Sequence, residues 1–561
     1  MMVRILVAVV FLSAGSLLAM LVHDGDGYSV TDIRFADGEG RTMSALLYQP
    51  DGATAAAPAP AVLAVHGYIN SSETQSGYAI ELARRGFGVL ALDQTGHGYS
   101  DPVAFSAGFG GPAGLDYLRS LPWVDRDRIG LEGHSMGGWT VLMAAMANPA
   151  GYSAMVLQGS STGTFGTGEG TADFPRNLLL VFSQFDEFSG FMWGTDKAQD
   201  IVSTDKLKKL FATDATVVPG RLYGDLTAGT ARQFAMPPVT HPGDHISAEA
   251  IGEAVNWFEL TLGAPTTVHG QIWFWKEIGT GLALLGLALL VVPVTTMVAG
   301  KLRVTVEPGR VTEAPLSATT VVLSLLLPII TFYPLQNLGA AWLPGNSLFP
   351  QQITNGILVW ALFNGFVSLV VVRLVSGQNP LASIHASGAG RASLAAFVTA
   401  AVICLLATLI ASVSLIDFRF WVVALKPMSL LQWGIFLCYL LPFTLFFLLL
   451  GAGYHGRTGW QGQSVAGASF RDGVVFSAGF VLLLLVQYGS MFTAGSLLIN
   501  EPLLTIVAIQ FVPVMFFVGY VSGCCYRLTG QLWLGATLNG LLITWYMVAG
   551  TATHALPFWV S

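Results

Sequence analysis

The chain has 561 residues, 53% of them hydrophobic and only 11% charged, against roughly 25% charged in soluble proteins. That composition points to a membrane protein, and a net charge of −7 with no basic cluster and no zinc-ligand spacing excludes an obvious nucleic-acid binder. The four cysteines, Cys404, Cys438, Cys524 and Cys525, all lie in apolar runs of the second half, so neither a disulfide framework nor a metal knuckle supports the first half.

Val3 to Val22 form an apolar run long enough to span a bilayer. No A-x-A site precedes Gly27, so residues 1–26 read as an uncleaved signal anchor rather than a cleaved signal peptide. Both readings place the chain beyond residue 26 outside the cytoplasm. Residues 27–265 have the pattern of a soluble α/β domain. Val30 to Phe35 and Met43 to Pro50 are two strands around the turn Asp37-Gly38-Glu39-Gly40, and an Ala/Pro linker comes next. Ala61-Val62-Leu63-Ala64-Val65 is a continuous apolar run, the mark of a buried parallel strand, with His66-Gly67-Tyr68 at its end. A helix over Gly77 to Arg85 leads to a second buried strand, Gly88 to Leu92, and then to Asp93-Gln94-Thr95-Gly96-His97-Gly98-Tyr99-Ser100. The strand over Arg128 to Leu131 runs into Gly133-His134-Ser135-Met136-Gly137-Gly138 and a helix from Trp139 to Met146. Such a turn is too tight for side chains two positions either side of the serine. It lifts the hydroxyl clear of the sheet, with helix N–H groups behind it. Strands at Ala154 to Gln158 and Leu178 to Phe182 and a helix at Ala248 to Leu262 complete the alternation. The fold class is therefore α/β, a doubly wound and mostly parallel sheet. Its strands' C-terminal ends carry His66, Asp93, Ser135 and Asp186.

These motifs resemble the α/β-hydrolase superfamily. Leu115-Asp116-Tyr117-Leu118 followed by Pro122-Trp123-Val124-Asp125-Arg126-Asp127-Arg128-Ile129 is similar to its dienelactone-hydrolase and prolyl-oligopeptidase-like branches. The resemblance covers roughly residues 28 to 264 and implies a Ser–acid–His order along the chain. It makes Ser135 the nucleophile and Asp186 the acid, by the strand-x-x-x-Asp pattern after Leu178 to Phe182, with Glu187 as fallback. It favours His241 as base, eight residues before Glu249, over His245, which stands close to the last helix. The oxyanion would be held by the N–H groups of Met136 and Tyr68. Asp93 and His97 are expected to shape a loop and His134 to pack. His241 and His245 are four residues apart, but Pro242-Gly243 between them breaks helical geometry, so no metal is expected there, and no cofactor. Gly159 to Asn177 and Phe188 to Pro238 are expected to form the cap that sets specificity.

Residues 272–561 change character. About eight long apolar segments, near 278–299, 317–337, 353–375, 393–416, 430–452, 474–499, 502–526 and 531–552, each match a bilayer crossing and predict an all-α transmembrane bundle. With the α/β domain outside, inner loops hold Lys301, Arg303, Arg310, Arg373, Arg391, Arg457, Arg471 and Arg527, and outer loops only Lys276, Arg419 and Lys426. That bias agrees with the positive-inside rule. The expectation is a bacterial multi-pass plasma-membrane protein with an extracytoplasmic serine hydrolase. Its substrate would be a small-molecule or lipid-like acyl ester, and membrane lipids are its expected partners. A serine peptidase is the alternative chemistry; a transporter or a non-catalytic binding protein is the alternative class. No ionisable residue falls in the centre of an expected span, which weighs against a transporter.

Overall fold

The computed structural model describes residues 1–304, 318–377, 379–455 and 464–560. Arg310 and Arg457, two of the expected inner-loop cations, lie outside the described residues. Helix α1 (Met2–His23) leads into strands β1 (Tyr28–Ala36), β2 (Thr42–Pro50) and β3 (Ala59–Val65). Then come α2 (Ser76–Arg84), β4 (Gly88–Asp93), α3 (Gly111–Ser120), β5 (Val124–His134), α4 (Met136–Ala147), β6 (Ala154–Gln158) and β7 (Leu178–Val181). Short helices α5 (Ser189–Trp193) and α6 (Asp205–Leu210), strand β8 (Arg232–Ala235) and helix α7 (Ala248–Leu262) complete this half.

The strands form one sheet in the order β1-β2-β4-β3-β5-β6-β7-β8. β1 and β2 are antiparallel to their neighbours and every pair from β4 onward is parallel. β3 and β4 are buried along their whole length because helices cover both faces, which is why their sequences are unbroken apolar runs. Ile251, Ala254, Val255 and Phe258 recur at helical spacing on α7 and pack on one face with α2. Leu115, Leu118, Val141 and Leu142 of α3 and α4 pack on the other. Ser247 caps α7 by accepting from the Ala250 N–H. β8 has no signature in the sequence: four residues, Arg-Gln-Phe-Ala, are too short to show a period. So part of the expected cap is the far edge of the sheet.

The second half consists of α8 (Trp273–Lys301), α9 (Ala318–Trp342), α10 (Gln352–Ser376), α11 (Ala389–Ser414), the hairpin β9 (Phe418–Phe420) and β10 (Val423–Leu425), then α12 (Leu430–Tyr454), α13 (Val465–Ala494), α14 (Pro502–Thr529) and α15 (Leu532–Gly550). Among the described residues nine helices, α1 included, are long and apolar enough to cross a membrane. α1 and α8 cross at small residues. A Cβ on Gly15 would stand 2.6 Å from the Ala283 nitrogen, and one on Gly279 would stand 2.6 Å from the Ala19 nitrogen. Backbones approach that closely only where side chains are absent.

One boundary differs instructively. α13 starts at Val465 rather than near residue 474, and takes in Asp472. The carboxylate is fully buried and ion-paired with Arg527 of α14, and it accepts from the Tyr454 hydroxyl at 3.1 Å. A hydropathy window stops at such a charge. The helix does not, because its partner neutralises it.

Candidate active site

The loop Gly133-His134-Ser135-Met136-Gly137 joins β5 to α4. Ser135 has φ 54° and ψ −119°, in the left-handed half of backbone space that non-glycine residues seldom enter. Neighbouring backbone holds it there. The Ser135 N–H donates to the Gln158 carbonyl at 2.8 Å, and the Ser160 hydroxyl donates to the Ser135 carbonyl at 2.8 Å. A Cβ on Gly133 would meet the Gly137 carbonyl, and one on Gly137 the carbonyls of Val65 and His66. Both glycines are therefore required by close approach, as the motif implies.

Asp186 and His241 come together from loops at the ends of β7 and β8. The His241 Nδ1 lies 2.8 Å from Asp186 Oδ2, and both side chains are buried. Gly159, just beyond β6, lies directly against the pair: a Cβ there would stand 2.9 Å from His241 Nδ1 and 3.3 Å from Asp186 Oδ2. Serine, carboxylate and imidazole thus share one rim of the sheet. Among the described residues the Ser135 hydroxyl makes no hydrogen bond, with His241 or any other group. Met136 opens α4, so its N–H has no intrahelical acceptor. Gly67, which precedes Tyr68, faces the serine: a Cβ on it would stand 3.2 Å from the Ser135 Cβ.

The two alternatives are placed differently. Glu187 turns away from the imidazole ring. Its Oε2 accepts the His241 backbone N–H at 2.8 Å, and its Oε1 accepts the Tyr488 hydroxyl of α13 at 2.7 Å. Burial, reinforced by the Asp186 charge, pushes its pKa up to about 7. His245 has no hydrogen-bond partner on either ring nitrogen among the described residues, and burial pulls its pKa down to about 3. For His241, burial acts downward, but the adjacent Asp186 charge and hydrogen bond outweigh it, and the net shift is upward. His134 is part of this cluster: its Nε2 donates to the His241 carbonyl at 3.0 Å. Asp93 accepts the backbone N–H groups of Ser72 at 2.7 Å and Tyr99 at 3.0 Å, the loop-shaping part expected of it. His97 bonds the Thr95 carbonyl at 3.0 Å. Among the described residues no group of three or more His, Cys, Asp or Glu side chains is placed to hold a metal ion.

A family model described as alpha/beta hydrolase fold matches residues 60–231. The sheet half has the α/β-hydrolase fold. An uncharacterised protein of Mycobacterium tuberculosis is 35% identical over 99 residues, 18% of this chain and 28% of that protein. A 2-hydroxy-6-oxononadienedioate/2-hydroxy-6-oxononatrienedioate hydrolase of Cupriavidus pinatubonensis is 35% identical over 82 residues, 15% of this chain and 28% of that enzyme. The chain therefore spans little more than a quarter of the length of these curated relatives. Among solved structures, a dienelactone hydrolase-like promiscuous phosphotriesterase from metagenomic libraries aligns at 18% identity and TM-score 0.30, over 42% of this chain and all of that one. A Pyrococcus furiosus esterase aligns at 14% identity and TM-score 0.30, over 42% of this chain and 94% of its own.

What sequence reasoning missed about this hydrolase fold comes from the other half of the chain. Tyr488 reaches Glu187, and the Trp421 indole donates to the Pro242 carbonyl at 2.7 Å. His554 Nε2 lies 2.8 Å from the Tyr68 hydroxyl, and Lys426 Nζ lies 2.7 Å from Glu73 Oε1. The bundle covers the rim where the hydrolase side chains converge. No local pattern announces these contacts, which join residues hundreds of positions apart.

Proposed function

We propose that the protein is a membrane-anchored serine hydrolase that cleaves carboxylic esters through an acyl-enzyme. The observation that carries this reading is the 2.8 Å His241–Asp186 pair at the same sheet rim as a serine on a left-handed turn. A serine hydroxyl is a weak nucleophile until a neutral imidazole can take its proton, and a carboxylate must hold that imidazole's tautomer. His241 Nε2 takes the proton as Ser135 Oγ attacks the ester carbon, while Asp186 keeps the Nδ1 proton and stabilises the imidazolium. The oxyanion accepts from the Met136 and Tyr68 N–H groups. His241 then protonates the departing alcohol, and water, activated by the same imidazole, releases the acid. A nucleophile–base hydrogen bond such as Ser135–His241 commonly forms or tightens only in the substrate complex.

The nine apolar helices among the described residues support a multi-pass membrane protein, and the α1–α8 packing supports retention of residues 1–26 as an anchor. Lys276, Arg419 and Lys426 lie at the end of the bundle that meets the hydrolase fold, and Lys301, Arg303, Arg373 and Arg391 lie at or between the far ends of spans. By the positive-inside rule the hydrolase then faces outward from a bacterial plasma membrane. Ser135→Ala tests the chemistry. In the purified full-length protein it should remove turnover of p-nitrophenyl acetate, a loss on the order of 10⁶-fold where a nucleophile is deleted. It should also remove labelling by a fluorophosphonate and leave the melting profile in place. Turnover that survives the substitution would end the assignment.

A further inference from the structure

A cavity opens where the bundle meets the hydrolase fold. Its rim is formed by Ile69, Asn70 and Ser71 of the hydrolase fold with Arg419 and Lys426 beside them, and its interior includes Trp360, Phe446, Phe511 and Met515. Three features tie it to the proposed chemistry. The first is position. Gly67 faces Ser135, and Ile69 is two residues on, so the rim begins at most about 8 Å of chain from the nucleophile's neighbour. The second is Ile69 itself. It has φ 55°, an uncommon conformation for a β-branched residue, and its side chain packs against the core of the bundle. Such strain persists only where the surroundings impose it. The third is depth. Along α14 the lining runs from Val507 to Val518, eleven residues (518 − 507), or about 16 Å of helix axis. One leaflet of hydrocarbon is about 15 Å deep.

We propose that this cavity takes the single unbranched acyl chain of a neutral, membrane-resident ester and lays its carbonyl at Ser135. The inference rests on the serine-hydrolase reading and names its substrate class. The lining is mostly aromatic and aliphatic, and two of its polar side chains, Tyr546 and Gln510, satisfy each other by a hydrogen bond. The rim cations are already engaged, Lys426 by Glu73 at 2.7 Å and Arg419 by Asp417 at 2.8 Å. A neutral ester therefore fits the rim better than a carboxylate, which would have to compete for those charges. In the reaction the Ser135 Oγ–acyl bond forms as the ester C–O bond breaks, the serine proton leaves with the alcohol, and water adds to give the free acid.

Two measurements on the full chain in phosphatidylcholine vesicles test it. The first uses Ser135→Ala protein and methyl palmitate carrying a terminal diazirine. Irradiation should place adducts on Trp360, Phe446, Phe511 or Met515, and the adducts should disappear when Ala361, which lines the cavity, is changed by Ala361→Trp. Adducts confined to the outward-facing Leu437, Leu441 and Leu485 would overturn the proposal. The second is the ratio of kcat/KM for p-nitrophenyl palmitate to that for p-nitrophenyl acetate. Ala361→Trp should lower this ratio at least about tenfold, since each buried methylene is worth about 0.8 kcal/mol; an unchanged ratio overturns it. If Ser135 turns over neither ester while cross-links still map to the cavity, the hydrolase reading falls and lipid binding by the cavity stands.

Discussion

Asp186 and Glu187 are neighbours in the chain and meet His241 from different sides. Asp186 takes the ring and Glu187 takes the main chain, so they are not interchangeable. In the proposed mechanism Asp186→Asn should lower kcat for p-nitrophenyl acetate by about 10⁴-fold, because an amide can hold the wrong tautomer. Glu187→Gln keeps an acceptor for the His241 N–H and should cost far less; a larger loss from Glu187→Gln than from Asp186→Asn would reverse the roles. The base must be neutral to act, and its pKa is raised in the folded protein. kcat/KM should therefore rise with pH through a midpoint above the ordinary histidine value of 6.5. A midpoint near 3, where His245 is held by burial, would reassign the base. The choice between His241 and His245 is legible in the sequence only as an offset from Glu249. The decision lies in which ring reaches a carboxylate.

At the scale of elements, glycine placement explains both halves. Gly133 and Gly137 let β3, β5 and α4 meet behind Ser135, and the sequence shows them because the motif is local. Gly15, Gly279 and Gly286 let α1 and α8 touch backbone to backbone, and nothing in either segment alone identifies its partner. Gly279→Val should force these helices apart. We expect a loss of about 1–3 kcal/mol, the usual cost of overpacking, read as a lower melting temperature of the full chain in detergent. A melting temperature equal to the native one would mean that α1 is held loosely. The spans themselves are legible within a few residues, since hydrocarbon thickness fixes their length. Hydropathy alone starts α13 nine residues late (474 − 465) because pairing across helices hides Asp472 from any single-segment reading.

At the scale of the molecule, the hydrolase fold and the bundle are joined by buried polar contacts at the site. Lys426 of the segment after β10 meets Glu73, with Asp93 Oδ2 4.0 Å away, and the Tyr99 ring lies beneath the ammonium. Burial works to raise the Glu73 pKa, but Lys426 outweighs it and holds the carboxyl well below its ordinary 4.5. The stability this pair contributes is present above pH 4.5 and is lost as pH falls through the lower folded value. Lys426→Ala would leave Glu73 buried without its cation, at a cost of about 3–5 kcal/mol. The expected result is thermolysin cleavage in the Gly263 to Gln271 connection, at Val268, at a concentration the native protein resists. Resistance equal to the native protein's would show that the halves are held by other contacts. The sequence by itself determined the sheet except for its edge strand β8, the turn that presents Ser135 and the count of apolar spans, because each is set by neighbours within a few residues: alternation, a tight turn, a run of set length. Only the tertiary structure decided which histidine meets the carboxylate, and that the bundle covers the rim and opens a cavity beside it. Those are contacts between segments from 55 to 486 residues apart, and no local pattern encodes which distant surface will supply a buried group's partner.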